Sequence, residues 1–423
     1  MKNFSAQSWQ IEHQCPQCGA PVILEETDRI LLCGYCRTRL YLSCVGHFRY
    51  LLPPSRASSV LPEDLLFIPY WRFRGAVYSF RANGMDQRMV DSSLLALNLK
   101  CLPPTLGLRP QTLKLRFATP QTVGEFLAPQ FPFKKPARTP PPDIPDGFPT
   151  GEESPPVLFE TFVGDTLSVI YSPVYIRGDT FYDAILNRPA ASMPAGGFSC
   201  LPACRGSDTL IRFFSTLCPA CGWDLEGDKE TLVLLCRNCT SAWKSSGNGL
   251  KKIDSATVAG EGDSSCYLPF WQLRADITGP VALHSYADLI RSANLPKAIR
   301  REWHDRELSF WIPAFKVQPH LFLRLARSLT VMQPPEELLE ALPGKQVYPV
   351  TLPMSEAVES IPPTIASFAV PRHLILPRIP DIRVAFKSSL LVYLPFALQG
   401  EEFIHHGMQL SINRNALKLG KLL

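Results

Sequence analysis

The chain of 423 residues lacks the apolar runs that cross membranes or direct secretion. Its N-terminal stretch, MKNFSAQSWQIEHQ, has no apolar core, and its longest apolar run, LLVYLPFAL at 390–398, is interrupted by Pro395. A membrane-spanning helix needs about 20 apolar residues, and a secretory signal needs an apolar segment after a basic start. We therefore expect a soluble, cytoplasmic protein without a transmembrane segment, and peripheral association with a membrane stays open.

Common catalytic and nucleotide-binding motifs are also missing, because the chain has no GxxxxGK[ST], no GxSxG, no HExxH and no GxGxxG before a helix. The one candidate catalytic centre is the segment 401–406, which holds Glu401, Glu402, His405 and His406. A surface turn explains it more simply, since the segment that matches it in the repeat described below has no histidine. We expect a protein that is not an enzyme.

Neither sign of charge is in large excess. The chain has 43 Lys and Arg against 38 Asp and Glu, a formal net charge of +5. Nucleic-acid-binding domains usually carry a strongly basic face. The net charge therefore does not indicate which class of molecule the protein binds. A basic run leaves nucleic acid as a possible partner; it consists of Lys297, Arg300, Arg301 and Arg306.

Proline is abundant, with 41 residues in 423, about twice the usual frequency. Because proline disrupts helix interiors, long helices are not expected to dominate. Short β-branched and aromatic segments between Pro, Gly and Ser predict strands that end at prolines. Helices are predicted only at 335–342 and within 281–307, where PKAIRREWHDREL is amphipathic. The predicted fold class is α+β with substantial β.

Cysteine is plentiful, and eight of the 13 cysteines form two copies of one frame. CPQCGAPVILEETDRILLCGYC begins at Cys15, and CPACGWDLEGDKETLVLLCRNC begins at Cys218. Two CxxC turns joined by a hairpin present four thiolates, which suits a tetrahedral ion. We predict two structural zinc ions, with no coordination position left open for a substrate. The predicted ligands are Cys15, Cys18, Cys33, Cys36, Cys218, Cys221, Cys236 and Cys239.

Four-thiolate iron and structural disulfides are the alternative interpretations of these frames. Zinc is favoured because the spacers are charged and strand-like and the chain has no partner redox motif. The five other cysteines, Cys44, Cys101, Cys200, Cys204 and Cys266, are expected to be core or loop thiols. A role in metal binding stays open for Cys200 and Cys204.

The similarity between the two halves extends beyond the cysteines. The frames coincide at a shift of 203 residues, and three later segment pairs follow in the same order at shifts of 200, 209 and 222. These pairs are 67–75 with 267–275, 101–115 with 310–324, and 172–181 with 394–403. Drifting shifts are typical of a repeat with insertions in its loops. We predict a duplicated module arranged about a pseudo-two-fold axis.

The repeat and the composition together predict four domains and two exposed loops. Each half is a ribbon followed by a larger β-rich domain, and the loops are Pro-rich 134–156 and polar 245–265. The Pro-rich loop has an alternative interpretation as a ligand for an aromatic groove of a partner. The predicted domains are 1–50 (first ribbon), 51–199 (first β-rich domain), 200–246 (second ribbon) and 247–423 (second β-rich domain).

Aromatic pairs recur after each frame, at Tyr70-Trp71 and Phe270-Trp271. Exposed aromatics beside arginines can stack on bases or anchor partners. Their recurrence within apolar strands instead favours core packing. The ribbons carry mixed charge, although Arg37, Arg39 and Arg49 offer one basic face on the first.

The two frames resemble the zinc-ribbon superfamily. Each is followed by Pro, an aromatic residue and Trp, at Pro69–Phe73 and Pro269–Leu273, and this combination resembles a group of poorly characterised bacterial zinc-ribbon accessory proteins. Some proteins of this kind look like accessory factors of membrane-associated or multiprotein assemblies, often with transmembrane segments that this chain lacks. The resemblance implies metal-stiffened modules and does not fix a function.

Three functions remain at this point. The duplication and the missing catalytic constellation favour a non-enzymatic adaptor or assembly protein that presents two zinc ribbons to protein partners in a complex. The alternative is a nucleic-acid-binding protein that uses the first ribbon and the basic run at 297–306. The third is a hydrolase with an unrecognised site.

Overall fold

The computed structural model describes residues 9–55, 60–99, 101–130, 156–192, 203–204, 211–260, 266–334, 337–344 and 346–420. Strands account for 44% of the structure and helices for 18%. These proportions agree with the predicted α+β class with substantial β. The Pro-rich loop lies almost entirely outside the described residues. No helix in the described ranges is both long and apolar enough to span a membrane.

In the first half of the chain, taken as residues 1–199, the described residues form mainly strands and loops. Among them this half has one short helix, α1 (Arg109–Thr112), and a 3₁₀ turn at Pro62–Asp64. Its strands are β1 (Gln10–Gln14), β2 (Pro21–Glu25), β3 (Ile30–Leu32), β4 (Arg39–Cys44), β5 (Phe48–Leu51), β6 (Leu66–Arg81), β7 (Gly84–Leu95), β8 (Leu115–Phe117), β9 (Glu125–Leu127), β10 (Phe159–Arg177), β11 (Thr180–Asp183) and β12 (Arg188–Ser192).

The second half holds most of the helices. The strands are β13 (Ala203–Cys204), β14 (Ile211–Ser215), β15 (Val233–Cys236), β16 (Ser241–Ser245), β17 (Leu250–Ile253), β18 (Ser255–Val258), β19 (Cys266–Thr278), β20 (Ser309–Pro313), β21 (Leu338–Leu339), β22 (Arg383–Gln399), β23 (Glu402–His405) and β24 (Leu410–Asn413). The helices are α2 (Tyr286–Ser292), α3 (Pro319–Met332), α4 (Met354–Glu359), α5 (Ile361–Phe368), α6 (Arg372–Ile375) and α7 (Arg414–Gly420), with 3₁₀ turns at Arg301–Trp303, Leu376–Asp381 and His406–Met408.

Each half is built on one long antiparallel strand pair. In the first half β6 pairs with β10, and in the second half β19 pairs with β22. β6 is buried along nearly its whole length, because it lies inside the sheet and its sequence, LFIPYWRFRGAVYSF, is apolar apart from Arg72, Arg74 and Ser79. The aromatic pairs after each frame lie in these strands and are buried, as predicted for core residues.

The strands around the central pair follow the same order in both halves. β5 runs parallel to β10, which continues into the antiparallel strands β11 and β12. β18 likewise runs parallel to β22, which continues into β23 and β24. The registers also coincide, since Arg74 lies opposite Thr166 and Arg274 opposite Ser388. These are the residue pairs that the sequence shifts of 200 and 222 relate.

The prediction that strands end at prolines is wrong. Pro69, Pro173 and Pro269 lie within β6, β10 and β19. Their carbonyls accept hydrogen bonds from the amides of Ala96, Ala184 and Ala314, which lie outside the central pairs. Because the nitrogen and carbonyl of one strand residue point to the same side, each proline turns its missing donor away from the central partner.

Two local predictions are also wrong, and a third, the helix within 281–307, is confirmed only in part. The segment predicted as a helix at 335–342 contains the short strand β21 among its described residues, since β21 pairs with β18. Within 281–307 only α2 and one 3₁₀ turn are helical. The predicted loop at 245–265 includes β17 and β18, because β16 and β22 give them hydrogen-bonding partners.

Part of the first half packs into the main hydrophobic core of the second half. Tyr78, Phe80 and Val163 of the first half join the large cluster built by β19, β20, β22 and α3 of the second. The Gly164 amide also donates a hydrogen bond of 3.0 Å to Glu356 Oε2 on α4. The predicted division into four domains stays a prediction, and packing across its central boundary is extensive.

β6 and β10 approach closely at Gly75 and Gly164. A Cβ at Gly75 would lie 2.5 Å from the Gly164 Cα and 2.5 Å from the Val163 carbonyl oxygen. Gly75→Ala is therefore expected to lower the free energy of unfolding by about 1–3 kcal/mol, because overpacking forces the strands apart. Urea unfolding checks this. Gly84→Ala is the matched control, since a Cβ there meets nothing within 4 Å, and equal losses in both variants would contradict the steric explanation.

Candidate metal centres

Each cysteine frame folds into two tight turns. In the first frame the Gly19 amide donates to the Cys15 carbonyl at 2.8 Å, and in the second the Gly222 amide donates to the Cys218 carbonyl at 2.8 Å. Gly19 and Gly222 have positive φ angles of 73° and 74°. Glycine adopts this conformation without steric cost, which explains the Gly after each CPxC.

The sulfur atoms of each frame converge. Cys15 Sγ lies 3.7 Å from Cys36 Sγ, and Cys18 Sγ lies 3.6 Å from Cys33 Sγ. In the second frame the corresponding distances are 3.6 Å between Cys218 and Cys239 and 3.5 Å between Cys221 and Cys236. A tetrahedral zinc ion with 2.3 Å Zn–S bonds places its sulfurs about 3.8 Å apart. The spacing therefore fits one tetrahedral ion per frame and is too long for disulfides.

All eight predicted cysteines come together as two groups that can each hold a metal ion, with the ligand atoms of a group within 4.8 Å of one another. These are the only such groups of three or more His, Cys, Asp or Glu side chains within the described ranges. In both groups the first cysteine of the first CxxC and the first of the second are buried, whereas Cys18, Cys36 and Cys221 are exposed and Cys239 is half-buried.

Hydrogen bonds lower the cysteine pKa most strongly at one position of each group. The side chain and the amide of Thr38 lower the pKa of Cys36 to about 6. The side chain of Asn238 and the amide of Trp223 lower the pKa of Cys221 to about 6. A thiolate is the form that binds metal, so these donors favour metal binding at Cys36 and Cys221, whereas the pKa values of Cys18 and Cys236 are raised to about 12.

The two ribbons pack directly against each other. β14, which leads into the second frame, pairs antiparallel with β4 of the first, from Ile211 opposite Cys44 to Ser215 opposite Leu40. Arg39 Nη1 donates to the Leu225 carbonyl at 2.9 Å. The shared core contains side chains from both ribbons: Ile30, Tyr41, Cys218, Leu225, Leu234, Cys236 and Trp243. The metal sites therefore belong to one packed body.

This contact is not reciprocal in the described part of the chain. β1 precedes the first frame as β14 precedes the second, yet β1 pairs with β2 and β8 and not with the second ribbon. β1 is held instead by the first β-rich domain, through the parallel pairing of Ile11 with Leu115. The expected pseudo-two-fold arrangement does not extend to the ribbons.

A buried ion pair joins the first ribbon to its β-rich domain. Arg72 on β6 has 0% exposure, and its Nη2 lies 3.2 Å from Glu26 Oε2, which is also buried. Arg72 Nη1 lies 2.6 Å from Asp91 Oδ1, and the guanidinium carbon lies 3.8 Å from the Trp9 ring centroid. Sequence reasoning missed this network, because the local sequence around Glu26 and Arg72 does not indicate that the two residues are buried or in contact.

The other candidate residues do not form a centre. His405 lies on β23 with its ring edge against Phe396, and His406 Nε2 lies 3.0 Å from Gln399 Nε2. Neither histidine joins Glu401 or Glu402 in a potential metal group within the described ranges. Cys200 lies outside those ranges, and the backbone of Cys204 pairs with Phe126 in β9.

Some of the basic residues considered for nucleic acid contact other groups of the protein, whereas Arg37 and Arg301 are exposed. Arg39 is used between the ribbons, and Arg49 is half-buried on β5 between β10 and β8. In the run at 297–306, Arg300 lies over Trp303 and Arg306 over Tyr286, with cation–ring distances of 5.3 and 5.0 Å.

Comparison of the whole chain with protein-family models, with curated proteins and with solved structures found no match. The geometry of the two four-cysteine groups is therefore the main evidence from which a function can be inferred.

Proposed function

We propose that the protein is a non-enzymatic adaptor, in which two structural zinc ribbons held as one body present a surface to protein partners in a complex. Zinc is the proposed metal because four protein thiolates in tetrahedral spacing form a closed structural site. We further infer that the halves derive from one duplicated module, which the coincident registers of their central strand pairs support.

The observation that carries the proposal is the exposure of large apolar side chains at the metal turns. Tyr35, between Cys33 and Cys36, is 72% exposed, and Trp223, just after the CPAC turn, is 60% exposed. Leu32 and Leu217 are also exposed and lie near Arg39, on either side of β4. Aromatic residues fixed on a rigid scaffold are typical anchors of protein interfaces.

Substituting these anchors is expected to release the partner without disturbing the metal sites. The double change Tyr35→Ser and Trp223→Ser removes two anchors, each of which contributes about 2 kcal/mol or more when it is an interface hot spot. We expect loss of a stoichiometric partner that co-purifies with the wild-type protein from its native cells, with two zinc ions retained. Leu374→Ser and Leu419→Ser, at exposed apolar positions far along the chain, are the matched controls.

Retention of the same partner by the double variant would contradict this assignment of the surface. A chain that always purifies alone would contradict the adaptor itself. Nucleic-acid binding stays the alternative, and it requires DNA or RNA affinity that falls steeply with salt. Absence of binding even at low salt would remove that alternative.

A further inference from the structure

An open cavity of about 350 Å³ lies at the protein surface, where the β6–β7 hairpin of the first half meets the second half. One wall is helix α3, and another is formed by α5 and α6. Met85, at the tip of the β6–β7 hairpin of the first half, closes a third side. A volume of this size is within the usual range for small-molecule sites. No part of the proposed metal centres lines it.

Helix α3 presents a stripe of basic side chains to the cavity. His320, Arg324 and Arg327 recur at spacings of four and three residues and face the cavity, while Leu321, Leu325 and Leu329 on the other side of the helix are buried. Arg372 on α6 adds a third guanidinium from across the space.

The basic side chains that line the cavity have no carboxylate partner there. α3 contains no acidic residue, and no Asp or Glu lines the cavity among the described residues. Arg324 Nη2 donates to the Ser411 carbonyl at 2.8 Å, whereas Arg327 and Arg372 make no ion pair within the described part of the chain. Cations that face one space repel each other, and a bound anion relieves that repulsion.

We propose that this cavity binds a small organic phosphate. Arginine presents paired N–H donors that match phosphate oxygens, and three guanidinium groups surround the space. Met85 and Leu323 supply apolar contacts for the organic part. Because the lining comes from both halves, the ligand would bridge them.

Calorimetric titration of the full-length protein at constant ionic strength tests the proposal with phenyl phosphate, inorganic phosphate and phenol. We expect phenyl phosphate to bind more tightly than inorganic phosphate, and phenol not to bind. Arg327→Gln with Arg372→Gln is expected to weaken phenyl phosphate binding by about 100-fold, roughly tenfold for each charged donor lost. Thermal melting without ligand confirms that the variant folds. Arg327→Lys keeps the charge but not the paired donors, so we expect its affinity for phenyl phosphate to lie between those of the wild type and the double variant.

Arg378→Gln with Arg383→Gln is the charge-matched control. Both arginines follow α6 closely but do not line the cavity. Unchanged binding in this control supports the site. An equal loss in both double variants would show general charge attraction and overturn the proposal, as would absence of phenyl phosphate binding. Tighter binding of a short single-stranded oligonucleotide, lost in the Arg327/Arg372 variant, would also overturn it in favour of nucleic acid.

Discussion

Cys221→Ser is expected to lose one of two zinc ions and to unfold the second ribbon. Serine is a poor zinc ligand, and the remaining three thiolates hold the ion weakly. Zinc binding supplies on the order of 10 kcal/mol to so small a fold. The second ribbon has no large core of its own, since its buried side chains are mostly those in the cluster shared with the first.

The damage is expected to spread to the first ribbon. Loss of the second frame removes the carbonyl acceptors of Arg39 and the packing partners of Tyr41. Hydrogen exchange is therefore expected to become faster in β4 as well as in β15 and β16. Exchange confined to the second ribbon would show that the two ribbons are energetically independent.

Metal analysis together with hydrogen exchange provides the measurement. The wild-type protein should contain two zinc ions per chain and the variant one. Cys44→Ser is the matched control, because Cys44 is half-buried on β4 and outside both sulfur groups. A Cys221→Ser protein with unchanged metal content and unchanged melting would show the ligand assignment to be wrong, and iron in place of zinc would correct the identity of the metal.

Arg72→Met is expected to lower the free energy of unfolding by about 3–5 kcal/mol. Methionine fills a similar volume, so the main effect is electrostatic. Glu26 is buried and would lose its guanidinium partner, while the hydrogen bond from the Ser168 hydroxyl at 3.3 Å would remain. Asp91 is 43% exposed at its side chain and would be hydrated instead. Chemical denaturation of the zinc-loaded protein measures the change.

The double variant Arg72→Met with Glu26→Gln is the decisive control. Glutamine still accepts from Ser168 but carries no charge, so most of the lost stability is expected to return. A double variant as unstable as Arg72→Met alone would show that packing against Trp9 is responsible, and not the unpaired carboxylate. The second half has Gln272 at the corresponding position, where the amide lies 3.3 Å from Ser309 Oγ.

The cysteine sites were predictable because their signal is local. Two CxxC turns and a short hairpin bring the four sulfurs of a frame together with little help from the rest of the chain. The buried aromatic pairs were predictable for a related reason, since Trp71 and Trp271 recur within apolar strands. The coarse fold class followed from the abundance of proline and of β-branched and aromatic segments.

Non-local pairing explains most of what sequence reasoning missed. Prolines sit inside long strands because neighbouring segments, not visible in the local pattern, leave their nitrogens without a required partner. β17 and β18 looked like a polar loop until β16 and β22 supplied hydrogen bonds. The charges of Glu26 and Arg72 carry no local sign of burial, because 46 positions separate them in sequence.

The pairing of β14 with β4 also has a consequence for how the chain is made. β4 ends at Cys44 and its partner ends at Ser215, so the ribosome must add 171 residues between them. At about 5–20 residues per second, this takes on the order of 10–35 s. During that time one edge of β4, with its apolar LYL sequence, has no partner strand and is open to association with other nascent chains. The first ribbon is therefore synthesised early, but the exposed edge of β4 is covered only after β14 has been synthesised.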